Sequence, residues 1–121
     1  MIILIDDNKA FRDTFQQLVE YTSGALPIQS FPSSEAYFST PYRTAANLVV
    51  IDIFMPGLDG FETARRIRQN DPNIPVLHIS SHISSNIKTL SRKSGAFACI
   101  QKDELARKLP ELLQKYVTPC T

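Results

Sequence analysis

Apolar residues fall along this chain in two alternating rhythms. Ile2-Ile3-Leu4-Ile5 and Leu48-Val49-Val50-Ile51 are unbroken β-prone runs, the pattern of strands buried on both faces of a parallel sheet. Val76 to Ile79 and Phe97 to Ile100 look similar with one apolar position fewer, and Ile28 to Phe31 makes a weaker fifth run. Between the runs the period lengthens to that of a helix. Phe11, Phe15, Leu18, Val19 and Thr22 share one side of a first helix, and Gly24 follows as a stop. Ser33 or Ser34 is placed to cap a second helix carrying Ala36, Tyr37 and Phe38. Asp59, with Glu62 three residues on, opens a third that buries Phe61, Ala64 and Ile67. A fourth is expected from about Ser85, with Ile87 and Leu90 inward, ending before Gly95. The fifth places Leu105, Leu109, Leu112, Leu113 and Tyr116 on one stripe, and Pro110 is expected to kink or restart it.

Strand followed by helix, five times over, predicts an α/β sandwich of three layers with right-handed crossovers. A length of 121 residues, 43% hydrophobic and 21% charged, fits one domain over 1–121. Charge adds little: 13 basic residues against 12 acidic ones give a net +1, and their scatter leaves no nucleic-acid footprint. The apolar start runs into Asp6 after five residues, too short for a signal peptide or a membrane span, so a cytoplasmic protein without membrane partners is expected. Cys99 and Cys120 have no metal-ligand spacing and read as two reduced thiols.

In open parallel sheets, sites form beyond the carboxyl ends of the strands, beside the point where strand order reverses. Here the first strand runs into Asp6 and Asp7, the third into Asp52, the fourth into Ser80 and the fifth into Lys102, whereas the second ends in Phe31-Pro32. A flavodoxin-like order 2-1-3-4-5 explains the omission, because the second strand then lies outside the crevice. Three convergent carboxylates repel unless protonated or neutralised, and an all-oxygen set suits Mg²⁺. A carboxylate so shielded can attack phosphorus, with Lys102 and Ser80 taking phosphoryl oxygens. Taken singly, each residue has a plainer reading: Asp7 as a helix cap, Ser80 as a turn residue, Lys102 as a solvated charge. Their joint placement favours the chemical one.

These residues resemble the receiver domains of bacterial two-component response regulators. Ile5-Asp6-Asp7, Asp52 with Met55-Pro56-Gly57-Leu58-Asp59-Gly60, Ser80, Gly95-Ala96 and Lys102 appear in the family's order along essentially the whole chain. The resemblance implies that Asp52 accepts the phosphoryl group from a histidine kinase or phosphotransfer protein. Asp7, Asp52 and the Phe54 backbone carbonyl would ligate Mg²⁺, Asp6 would act mainly through water, and Ser80 and Lys102 would hold the phosphate. It further implies self-catalysed phosphotransfer and autodephosphorylation without turnover of a substrate, and a signalling surface that serves an output domain or a homodimer.

Several positions depart from the common pattern. Ser81 replaces a small Ala, which changes little. Cys99 stands where a switch aromatic is usual, with Phe97 as a substitute on the same strand face. Asp103, where Pro is usual, looks like the NarL/FixJ subfamily, as does Asp7-Asn8-Lys9-Ala10-Phe11-Arg12; it is expected after a trans bond, as N-cap of the fifth helix. Phe54, bulky for its place, and His82 border the path of a hydrolytic water. A neutral His82 imidazole, able to accept a proton from that water, works against a long-lived phosphoryl state, but the steric effect of Phe54 is expected to dominate and to make that state long-lived.

Rival readings fit less well. A haloacid-dehalogenase-type hydrolase needs an Asp where Phe54 stands, and a flavodoxin-like electron carrier needs a phosphate loop where Asp6-Asp7-Asn8 would repel one. A non-phosphorylated receiver-like interaction module is the remaining alternative.

Overall fold

The computed structural model describes residues 1–24, 26–40 and 46–117. Five strands, β1 (Ile2–Ile5), β2 (Ile28–Phe31), β3 (Leu48–Asp52), β4 (Val76–Ser80) and β5 (Ala98–Gln101), alternate with α1 (Lys9–Ser23), α2 (Ser34–Ser39), α3 (Gly60–Asn70), α4 (Ser85–Ser94) and α5 (Lys102–Tyr116). The strands form one parallel sheet in the order β2-β1-β3-β4-β5, so the three-layer α/β expectation holds. Strands β1, β3 and β4 are buried along their whole length, and β2, at an edge, is half-exposed.

Side chains alternate across a strand, and the sheet therefore feeds two separate cores. Ile2, Leu4, Val50, Leu77 and Ile79 meet Phe15 and Val19 of α1 and Leu105, Leu109 and Leu113 of α5. Ile3, Ile5, Val49, Ile51 and Val76 meet Tyr37 of α2 and Ala64 and Ile67 of α3. The caps follow the sequence at most ends. Ser33 and Asp59 accept the amide protons of Ala36 and Glu62, Gly24 donates back to Glu20, and Gly95 closes α4 at φ 108°, a left-handed conformation that only glycine adopts without strain.

Five expectations change. In α4 the buried residues are Ser91 and Ser94, whereas Leu90 is 43% exposed; Ile87, Ser91 and Ser94 make the inward stripe at i, i+4, i+7, and Leu90 lies off it. Helix α5 runs on through Pro110 without the restart that was one of the two expected outcomes. Ala106, whose carbonyl it deprives of a helix partner, and Pro110 itself are both exposed, so the missing bond falls on the solvent side while Leu109 and Leu113 anchor the opposite side. Asp103 lies inside the first turn of α5 and is not its cap. Strand β5 leads directly into the helix through Gln101, which leaves no turn from which a side chain could cap. Phe97 precedes β5, exposed, with its ring 4.5 Å from that of Tyr116. Phe61 is only half-buried, and Gly60 and Thr63 join Ala64 and Ile67 inside. No cis peptide occurs among the described residues, so Lys102-Asp103 is trans. Cys120 lies outside the described residues; Cys99 is a free thiol.

Candidate functional site

Adjacent strand ends deliver the carboxylates. One oxygen from each of Asp6, Asp7 and Asp52 falls within 4.8 Å of the others, with Asp6 and Asp52 buried and Asp7 exposed. Asp7 is not the cap of α1: Asn8 takes that task, its side chain accepting the Phe11 amide proton at 3.0 Å. The Asp7 carboxylate is thereby left to the crevice. Asp6 is held tightly. Its Oδ1 accepts the Asn8 amide at 2.9 Å and its backbone carbonyl accepts Arg12 at 2.7 Å. Its Oδ2 is buried without a well-directed hydrogen bond and faces the Lys102 ammonium at 2.7 Å.

Lys102 is the counter-charge of the site. Its Nζ stands 3.6 Å from Asp52 Oδ2 and 4.3 Å from the centre of the Phe11 ring, so two carboxylates and an aromatic face fix one ammonium. The cation does not fully compensate. Burial, and next the charge of Asp6, push the Asp52 carboxyl up from 3.8 to about 6, against the opposing pull of Lys102 and of a hydrogen bond from the Phe54 amide. The three carboxylates of the pocket carry more negative charge than Lys102 neutralises. An oxygen-only donor set, one of its oxygens buried without a good hydrogen bond, fits a hard divalent cation.

The loop after Asp52 is tied on three sides. Gly60 donates to the Ile53 carbonyl at 2.9 Å, and a Cβ at Gly60 would stand 2.5 Å from the Asp52 carbonyl oxygen and 2.7 Å from Ile53 Cα, so only glycine allows this closure. Glu35 of α2 accepts the Leu58 amide at 3.1 Å. His78 of β4, fully buried, reaches the Gly60 carbonyl at 2.8 Å. The Phe54 side chain is 58% exposed.

Of the residues singled out in the sequence, Asp6, Asp7, Asp52 and Lys102 come together. Ser80 ends β4 one residue past Ile79, the register partner of Asp52. Its hydroxyl is engaged in its own turn, donating to the His82 carbonyl at 2.9 Å and accepting the His82 amide at 3.3 Å. Glu35 and His78 are the two loop anchors that sequence reasoning missed. The available signal was His78 itself, the one polar residue within the apolar run of β4.

The sequence profile described as "Response regulator receiver domain" matches residues 2–114. The chain belongs to this family. As a receiver domain it is 30% identical over 108 residues to the C4-dicarboxylate transport transcriptional regulatory protein DctD of Rhizobium meliloti (strain 1021), covering 89% of this chain and 23% of the relative. It is 29% identical over 101 residues to the transcriptional regulatory protein FixJ of Bradyrhizobium diazoefficiens, covering 84% of the chain and 48% of FixJ. The chain thus spans less than half the length of each. Among solved structures, the receiver domain of NtrX from Brucella abortus superposes with a TM-score of 0.84 at 23% identity, covering 97% of this chain and 98% of that one, a likeness of fold. Response regulator receivers switch on phosphorylation, and a non-phosphorylated interaction module is the less favoured reading.

Proposed function

We propose that Asp52 is the phosphoacceptor of this receiver and that residues 1–121 act as a single receiver domain. The supporting observation is a buried carboxylate at a strand end, held 3.6 Å from a lysine and beside two further carboxylates. The donor is a phosphohistidine of a histidine kinase or phosphotransfer protein. An Asp52 oxygen forms a bond to phosphorus as the bond from phosphorus to the donor imidazole nitrogen breaks, and that nitrogen keeps the electron pair. Asp52 attacks as the carboxylate, and a value of about 6 leaves it mostly ionised at neutral pH.

Asp6, Asp7, Asp52 and the Phe54 carbonyl would hold Mg²⁺, which when bound supplies charge neutralisation to the phosphoryl oxygens. Lys102, anchored on Asp6 and Phe11, is placed to pair with one phosphoryl oxygen. Ser80 donates to another once its hydroxyl leaves the His82 carbonyl. Phe54 shields the bond from water and lengthens the life of the phosphorylated state. This domain works in the cytoplasm without membrane contact and does not itself bind nucleic acid, and it passes its state to an output region or a second copy, in keeping with relatives named as transcriptional regulators and longer than this chain.

Incubation with a small acyl phosphate and Mg²⁺, read by intact-protein mass spectrometry, tests this. Native protein gains one phosphoryl group, and Asp52→Ala or native protein with chelator does not. Equal uptake by native and Asp52→Ala proteins would overturn the assignment.

A further inference from the structure

The core between the sheet and α3 and α4 contains a fully buried imidazole on β4, where an aliphatic side chain would suffice for packing. His78 is in register with Ile51, the neighbour of Asp52, on one side and with Cys99 on the other. Its ring is bonded at both nitrogens. Nε2 lies 2.8 Å from the Gly60 carbonyl and Nδ1 lies 2.6 Å from the Ser91 hydroxyl. A carbonyl only accepts, so Nε2 carries the proton; burial favours the neutral ring, and Nδ1 then accepts from Ser91. Cys99, the register partner of His78 on the neighbouring strand, brings its thiol near the same serine. Phe61 closes the remaining side, edge to face at 5.6 Å.

The two ends of this chain of bonds land on the loop after Asp52 and on α4. Gly60 closes the loop that follows Asp52 and rests on the Asp52 carbonyl itself. Ser91 is one of only two buried residues of α4, the other being Ser94, whose hydroxyl donates back to the Ser91 carbonyl at 2.7 Å. No large apolar side chain of α4 is fully buried. Its position against β4 is therefore set by a polar contact with defined length and direction, and apolar packing constrains it little.

We propose that His78 is a positioning residue for the phosphoacceptor loop, and that its second bond, to Ser91, makes the seat of α4 depend on the state of Asp52. The proposal rests on the phosphoacceptor reading above and gives the site a route outward through Gly60, His78 and Ser91. The route needs no rotating aromatic on β5, where this chain has Cys99.

The test uses native protein, Ser91→Ala, His78→Leu and His78→Gln, each with Mg²⁺ and either acyl phosphate or the phosphoryl mimic beryllofluoride. Occupancy of Asp52 is read by mass spectrometry and fluorine NMR, α4 by amide hydrogen exchange over residues 85–94, and the ring by its ¹⁵N spectrum. In native protein the mimic changes α4 exchange about 5-fold or more, within the usual range of coupling between sites, and shifts the Nδ1 resonance. Ser91→Ala keeps Asp52 occupied while the α4 response falls to less than about half. His78→Leu slows phosphoryl uptake by about tenfold, the scale of a modest misplacement, and His78→Gln, which can both donate and accept, recovers part of it. A purely structural role would lower stability in all three variants and leave the α4 response of Ser91→Ala intact. That result, or a ring spectrum in native protein indifferent to the mimic, overturns the proposal even if His78→Leu does not fold. Native protein that takes no phosphoryl group on Asp52 overturns the underlying reading, and the route falls with it.

Discussion

The two faces of the sheet are built on different principles. Towards α1 and α5 the contact is aliphatic and aromatic throughout, with Phe15, Val19, Leu105, Leu109 and Leu113 closed over Leu4, Val50 and Leu77. Towards α3 and α4 the packing includes buried hydroxyls and an imidazole: Ser34 bonded to Thr63, and His78 to Ser91. Burial of apolar area is strong but has no preferred direction, so it fixes helices without reporting small displacements. Hydrogen bonds are weaker in net energy but specific in geometry. One layer is thus suited to hold the fold, and the other to register change at the carboxylates where both layers end.

The sharpest challenge to this division is Phe15→Ala. Removing a fully buried ring from the aliphatic layer is expected to lower stability by about 3–5 kcal/mol, measured by urea unfolding, with phosphoryl uptake by the folded fraction unchanged. An equally large loss in uptake per folded molecule would show that the two layers are not separable.

Next in size is a pH effect at the seam. The Asp52 carboxyl is higher in the fold, about 6, than its ordinary 3.8, so the fold binds that proton more tightly than the unfolded chain does. The resulting stability is fully present below about pH 4 and is lost as pH rises through about 6. The difference amounts to about 2–3 kcal/mol. Asp52→Asn, measured in chelator, is expected to be more stable than native protein at pH 7 by up to that amount, with the gap closing as pH falls from 6 to 4. A gap independent of pH would mean that charge is not its origin.

Gly60→Ala probes the polar layer. A methyl placed 2.5 Å from the Asp52 carbonyl oxygen forces the loop to shift, at about 1–3 kcal/mol by the usual scale of overpacking. Phosphoryl uptake is expected to fall more steeply than stability. Equal loss in both would deny the loop its special dependence on this closure. Smallest of all is Leu90→Ala on α4, expected within about 0.5 kcal/mol because the side chain is largely outside the core; a loss above about 1 kcal/mol would reveal aliphatic anchoring of α4.

This last position also shows where sequence reading stops. Long apolar runs and turn chemistry located the five strands and five helices, and polar residues at the strand ends located Asp6, Asp7, Asp52 and Lys102. Hydrophobic periodicity cannot see a helix seated by serines. It therefore turned Leu90 inward and passed over Ser91 and Ser94. His78 was visible only as an interruption of β4, because its partners Gly60 and Ser91 lie 18 and 13 residues away. At Pro110 the helix does not restart, because the bond it removes falls on the exposed side of α5 while Leu109 and Leu113 hold the other.

A helix of ten residues with only two of them buried, both serines, has consequences for descent as well as for signalling. Most of its outward positions can be exchanged at little thermodynamic penalty. The outer surface of α4 is therefore open to change over a lineage, while the inner serine, on the route proposed above, keeps the same line to the acidic pocket.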